Sequence, residues 1–249
     1  MWEIADKYIC WNINNVIGKT LIKNQINKVS SYLLNPADKI LISVSSKVFK
    51  PKQVWNDKFV FSGYLRWQEK EDELLESKII DFSNGSRLPI LTFGSVNFEN
   101  SQKIMERFIR NWPNDKKIII QSGWANLSIT GYENTVLNIG KISHDQLFKH
   151  ASVVIHHGGA GTTASVLHSG VPHIIVPHFG DQFFFAKQVI NLGVGLRLKR
   201  DNWPESLLES IESIEGNKEM QNTSFNIAET LRNEDGPMNA VLELERLSN

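Results

Sequence analysis

HHGGAGTTASVLHSGVPHIIVPHFGDQFFFA, His156 to Ala186, packs a glycine-rich turn, a helix start and an Asp-Gln pair into one supersecondary unit. The apolar residues Ala151 to Ile155 predict a buried strand, Gly158, Gly159 and Gly161 supply the turn, and Thr162 to Ser169 predict the helix. At such a helix start, unpaired backbone N–H groups meet the positive end of the helix dipole. The stretch therefore predicts an anion site at a strand-to-helix turn.

Outward from that unit the pattern repeats. Upstream, Pro89 precedes strand Ile90 to Phe93, followed by helix Gln102 to Asn111, strand Lys117 to Gln121, strand Thr135 to Ile139, short helix Asp145 to Lys149 and strand Val153 to His156. Downstream come strand His173 to Val176, helix Gln182 to Leu192, strand Val194 to Leu198 and helix Pro204 to Ile214, with closing helices Met220 to Leu231 and Met238 to Leu247. This βα alternation predicts the α/β class, with a doubly wound, mostly parallel, Rossmann-like sheet. The first third is less regular. Trp2 to Leu34 carries apolar residues at helical spacing up to Asn35-Pro36, Lys39 to Val44 and Phe59 to Phe61 read as strands, and the charged run Trp67 to Asn84 reads as a linker with an acidic helix.

The chain has 249 residues, 41% of them hydrophobic and 10% aromatic, enough for a substantial core. Lys plus Arg equals Asp plus Glu at 27 each, so no global field favours nucleic acid or an anionic membrane, and any anion site is local. The lone Cys10 rules out an internal disulfide and suits a reducing compartment. Met1 to Lys7 has no signal-peptide core, and no apolar run reaches the roughly 18 residues of a membrane span, so a cytoplasmic, at most membrane-peripheral, location is expected. His156, His157, His168, His173 and His178 lie close in sequence, yet no cysteine pair, H-E-x-x-H or carboxylate spacing accompanies them, and no metal is expected. Ile17 to Thr20 ends like a P-loop, but Ile13 stands where its first glycine is needed.

Several blocks carry a resemblance. LTFGSV (Leu91 to Val96), IIIQSGWANL (Ile118 to Leu127), GKISHDQLF (Gly140 to Phe148), HHGGAGTT, GVPHIIVPHFGDQFFFAKQV (Gly170 to Val189) and LGVGLRL (Leu192 to Leu198) follow one another in that order. Together they resemble the C-terminal donor-binding lobe of GT-B glycosyltransferases, specifically the UDP-dependent sterol and lipid glucosyltransferases and their bacterial aglycone-modifying relatives. The resemblance implies residues 1–65 as a remnant of an N-terminal acceptor lobe, 66–88 as linker, 89–235 as the UDP-sugar-binding domain and 236–249 as a closing helix. The UDP-sugar is then a substrate, and no cofactor is implied.

Individual residues follow from chemistry and resemblance together. Ser95, after strand Ile90 to Phe93, could donate its hydroxyl to a phosphate or simply cap a turn. Gly158, Gly159 and Gly161 permit close backbone approach to a diphosphate, and Thr162 and Thr163 add hydroxyl donors. Adjacent strand residues face opposite ways, so only one of His156 and His157 is expected there, and the resemblance favours His156. Asp181 and Gln182 can exchange several hydrogen bonds with sugar hydroxyls, and the resemblance makes them the sugar-reading pair, while Asp181 as a helix N-cap is the bland alternative. The loop Gly140 to His144, including Ile142, is expected to hold the uridine. Lys141 stands where plant relatives have a stacking tryptophan, so Trp124 is the substitute or else a core aromatic, and His144 touches ribose or caps the helix from Asp145.

The function so implied is the donor half of an inverting UDP-glycosyltransferase. It would transfer a hexose, glucose by resemblance, to a sterol or other lipid-like hydroxyl compound. No catalytic residue is expected within the chain: the histidine general base belongs to the acceptor lobe, most of which is missing, so a fragment or a donor half awaiting a partner chain is expected. The alternatives are the donor subunit of a two-subunit N-acetylglucosaminyltransferase and a non-catalytic nucleotide-sugar-binding or scaffolding module.

Overall fold

A computed structural model describes residues 7–8, 10–11, 14–15, 39–50, 57–66, 71–94, 101–123 and 129–248. The expected helix Trp2 to Leu34 lies largely outside these, as do Ser95 and Trp124. β1 (Ile40–Ile42) and β2 (Phe59–Phe61) pair in parallel as a two-stranded sheet. The next elements are α1 (Glu73–Ser83), β3 (Leu88–Thr92), α2 (Ser101–Asn111), β4 (Ile118–Gln121), β5 (Val136–Ile139), α3 (His144–Phe148), β6 (Ala151–His156) and α4 (Ala160–Ser169). The chain continues through β7 (His173–Ile175), α5 (Gln182–Asn191), β8 (Gly195–Arg197), α6 (Trp203–Glu215), α7 (Lys218–Arg232) and α8 (Gly236–Ser248).

β3 to β8 form one sheet in the order β5-β4-β3-β6-β7-β8, with every neighbouring pair parallel. The period-two alternation of the strands sorts their apolar residues onto two faces. Leu91, Ile118, Ile120, Val153 and Ile155 face Phe108 of α2 and Trp203, Leu207 and Ile211 of α6. Their neighbours Ile90, Ile119 and Val154 face Ile79 of α1, Leu147 and Phe148 of α3 and Val166 of α4. Both faces are thus covered by helices, which is why these strands read as unbroken apolar runs. The doubly wound parallel sheet expected from the βα alternation is what forms.

The chain builds β3, β4 and β5 outward to one edge, then returns to lay β6 against β3 and builds the other half. The carboxyl ends of β3 and β6 therefore flank the point where strand order reverses, the place where open α/β sheets bind ligands. α4 starts at Ala160, two residues ahead of the expected Thr162, because Gly159 in extended conformation takes the N-cap position.

The β1–β2 unit is tied to the carboxyl end of the chain. Val48 and Phe49 pack with Leu167, Phe185 and Leu231. The Ser45 hydroxyl donates to Glu234 at 2.7 Å, and Asn239 Nδ2 donates to the Ser62 carbonyl at 3.0 Å. A Cβ on Gly236 would lie 2.3 Å from the Tyr64 carbonyl oxygen, so glycine lets the two backbones touch. These contacts fix residues 62–66 beside the carboxyl ends of the main sheet.

Phe108 is 1% exposed and lies between Trp112 and Trp203 at ring-centroid distances of 5.3 and 6.0 Å. Phe108→Ala should cost about 3–5 kcal/mol of stability, whereas Phe225→Ala, at a ring 55% exposed, should cost about 0.5 kcal/mol or less. Urea unfolding of both variants checks this, and equal costs would contradict the described core.

Candidate functional site

Buried polar side chains join the carboxyl ends of three strands. Thr92 at the end of β3 donates its hydroxyl to Gln121 Oε1 at 2.9 Å, and Gln121 Nε2 donates to the Ile142 carbonyl at 3.1 Å. Ser122 donates its hydroxyl to the Ile139 carbonyl at 2.9 Å. Such satisfied bonds hold the loops after β3, β4 and β5 in one arrangement. A Cβ on Gly123 would lie 1.9 Å from the Gly94 carbonyl oxygen, so the β3 and β4 loops meet backbone to backbone.

The three glycines after β6 do different work. Gly158 has φ +89°, and a Cβ there would sit 2.7 Å from an Ile175 methyl, so both conformation and space require glycine. At Gly159 a Cβ would come within 2.3 Å of His157 Nε2. Gly161 has nothing within 4 Å of its missing Cβ and faces a cleft. Gly159 offers α4 no side-chain cap, and the first helical bond runs from the Thr163 N–H to the Gly159 carbonyl. The amides of Ala160, Gly161 and Thr162 thus keep no intrahelical acceptor.

The two histidines divide in the opposite sense from expectation. His156 is 0% exposed, and its Nδ1 accepts from the Gly158 N–H at 3.2 Å. Its Nε2 lies 3.1 Å from His173 Nδ1. These bonds define the tautomer: His156 is protonated on Nε2 and donates to His173. Burial first, then the neighbouring His173, holds the His156 pKa well below the usual imidazole range. Both nitrogens of His156, the histidine expected at the phosphate, are engaged inside the protein, where they shape the turn.

His157 turns instead toward the β3 loop. Its Cε1 is 3.3 Å from the position of a Cβ on Gly94, and its buried Nδ1 has no hydrogen-bond partner among the described residues. Burial, then His178, lowers its pKa to about 4, against an opposing pull from the Asp181 carboxylate. The ring is therefore neutral near pH 7 and carries a single N–H donor. Thr162 and Thr163 are 8% and 1% exposed, and the Thr163 hydroxyl has no partner among the described residues.

The Asp-Gln pair is split. Asp181 occupies the N-cap position of α5, is exposed, and makes no side-chain capping bond. Gln182 is 3% exposed, and its Oε1 accepts from the main-chain N–H groups of His178 at 2.7 Å and Phe179 at 3.2 Å. The amide oxygen expected to read sugar hydroxyls is already engaged in holding the His178–Asp181 loop. Asp181 is left as the polar group of the pair that faces outward.

A cleft of about 740 Å³ opens at these strand ends. Gly94, Gln121 to Gly123, Lys141 to Asp145, and Ala160 and Gly161 line its sheet side. Ser43, Val44 and Tyr64 to Arg66 line the other. Ile142 and His144 lie in this wall as expected residues of the base loop, but Ser143, not His144, caps α3 by accepting from the Gln146 N–H at 3.1 Å. His144 stacks on Phe148 at 4.7 Å. Asp181, Gln182 and the threonines do not line the cleft; His157, His178 and Asp181 form a cluster of their own, coupled through charge. Gln121 and Arg66 escaped the sequence reading. The first had a signal, a polar residue ending the run IIIQ, whereas Arg66 reaches the cleft only through tertiary contacts. Among the described residues no group of His, Cys, Asp and Glu is arranged to hold a metal ion, and no helix is long and apolar enough to cross a membrane.

The chain is similar to known proteins. The family model of the erythromycin biosynthesis protein CIII-like C-terminal domain matches residues 114–247. A sterol 3-beta-glucosyltransferase of Saccharomyces cerevisiae (strain YJM789) is 29% identical over 231 residues, covering 87% of this chain and 19% of its own length. The sterol 3-beta-glucosyltransferase of Penicillium rubens is 32% identical over 266 residues, covering 98% and 18%. The chain thus spans less than a fifth of these relatives. Among solved structures, the spinosyn forosaminyltransferase SpnP superposes with a TM-score of 0.71 at 16% identity, covering 94% of this chain and 61% of its own. The calicheamicin glycosyltransferase CalG4 gives 0.67 at 18% identity, covering 94% and 60%. At these identities the two structures establish the GT-B glycosyltransferase fold.

Burial also lowers the pKa of His168 to about 4 and of His173 to about 3, alongside His157. Folded-state values below the ordinary 6.5 mean that the unfolded chain binds more protons in that window. Stability should therefore be full above about pH 6.5 and fall as pH drops from there toward about 3, the lowest of these values. Denaturant midpoints across this range check it, His157→Asn should make the decline shallower, and a flat profile would contradict the buried neutral rings.

Proposed function

The chain belongs to the family of erythromycin biosynthesis protein CIII-like C-terminal domains, the donor-binding domains of GT-B glycosyltransferases, and from that premise we propose that it binds a UDP-sugar for hexosyl transfer. Supporting this is the set of donors that residues 157–163 leave without internal partners: the amides at the start of α4, His157 Nδ1 and the Thr163 hydroxyl. They sit where strand order reverses, beside the cleft wall that Ile142 and His144 help to form. A diphosphate against the amides would place the nucleoside toward Lys141 to Asp145 and the sugar toward Asp181.

The chemistry follows from charge. In the proposed inverting reaction an acceptor oxygen, deprotonated by a general base in the acceptor-binding half of the enzyme, forms a bond to the anomeric carbon. The bond from that carbon to the diphosphate oxygen breaks, and UDP leaves with both electrons. The negative charge that develops meets N–H groups already pointing at it, which need no reorganisation. A neutral His157 donates one hydrogen bond there without requiring a proton of its own from solvent. The likeness to sterol 3-beta-glucosyltransferases supports glucose as the sugar and a sterol as the acceptor. The exposed Asp181 is the residue we assign to the sugar hydroxyls, and Ser95 and Trp124 remain assigned by resemblance to phosphate and base.

Calorimetry with UDP and UDP-glucose tests the reading. The chain should bind both, and His157→Ala should weaken both about tenfold or more, the worth of one hydrogen bond to a charged group. Asp181→Ala should weaken UDP-glucose while sparing UDP. No binding of either ligand would overturn the proposal, and equal losses for Asp181→Ala would remove its sugar role.

A further inference from the structure

The donors beside the cleft are neutral, and a diphosphate is not. The start of α4 supplies the equivalent of about half a positive charge, and His157, with a pKa near 4, supplies none at neutral pH. The only Lys or Arg among the described cleft residues are Lys141 and Arg66. Of these, Arg66 is the better placed. The segment that carries it is pinned by the Asn239 bond to Ser62, by the close packing of Gly236 on Tyr64, and by the Tyr64 ring set edge-on to His168 at 5.2 Å. Its side chain is 33% exposed and pairs through Nη2 with Asp145 Oδ1. Asp145 lies in the first turn of α3 and also lines the cleft. The pair therefore spans the cleft mouth from one wall to the other.

Resting on the donor-site reading above, we propose that Arg66 is a further donor-binding residue: it exchanges Asp145 for the diphosphate of the nucleotide and supplies the full positive charge that the helix start lacks. Half-exposed ion pairs are weak, so the exchange is cheap. A guanidinium can grip two phosphate oxygens at once, which the single carboxylate of Asp145 cannot outbid against a dianion.

Calorimetry of the full chain with UDP and with uridine, at low and high salt, separates this from a purely structural clamp. Arg66→Ala should weaken UDP about tenfold, leave uridine unchanged and flatten the salt dependence of UDP binding. Asp145→Asn, which removes the competitor, should tighten UDP about threefold. Equal losses for UDP and uridine in both variants would mean that Arg66 only braces the cleft, and would overturn the assignment. If the unaltered chain binds UDP and Arg66→Ala binds it equally well, this inference alone falls. If the unaltered chain binds no UDP, the donor-site reading falls and takes this one with it.

Discussion

The hydrogen bond from the Gly158 N–H to His156, passed on from His156 to His173, is the interaction on which the site depends. It closes the turn after β6 within two residues and holds Gly158 at φ +89°. With that turn closed, Gly159 becomes the cap of α4, the first-turn amides stay open, and His157 is driven out toward Gly94. Burial keeps both inner rings neutral, so the chain of bonds adds no charge beneath an anion site. A side chain at Gly158 would meet both the wrong backbone region and the Ile175 methyl. Core and site are one object here: β7, which carries His173 and Ile175, packs against the turn it shapes.

Much of the fold could be read from the chain because the strands are buried on both sides and the helices alternate with them. Ile118 to Ile120 is an unbroken apolar run for a physical reason: Ile118 and Ile120 enter one core and Ile119 the other. The glycine turn was also legible, since the spacing of Gly158, Gly159 and Gly161 suits only a sharp strand-to-helix connection. What the sequence could not carry was the direction of individual side chains. Alternation along a strand says that His156 and His157 point apart, but which one turns inward depends on His173, seventeen positions away in the chain. The same holds for Gln182. Asp is the better helix cap by propensity, yet Gln182 reaches back to the His178 and Phe179 amides while Asp181 makes no cap, because α5 begins with Asp181 already in helical conformation. Arg66 was invisible for a further reason: nothing local to a linker reveals that the carboxyl-terminal helix pins it over a cleft.

The charge layout suits the proposed role. Amides, hydroxyls and a neutral imidazole are fixed dipoles, so in the proposed role they would stabilise a leaving diphosphate without drawing in counter-ions or changing protonation. The charged residues of the cleft stand apart from them: Arg66 on the β1–β2 side, Lys141 on the loop before α3 and Asp145 in the first turn of α3. On the proposed reading, binding affinity and leaving-group stabilisation are divided between two parts of the chain.

The most direct measurement is an amide-resolved NMR titration of the chain with UDP. The account predicts saturable shifts that are largest at the backbone amides of Ala160, Gly161 and Thr162 and at the His157 ring, with His156 and His173 unmoved. Shifts confined to other regions, or none at all, would contradict an anion site at the start of α4.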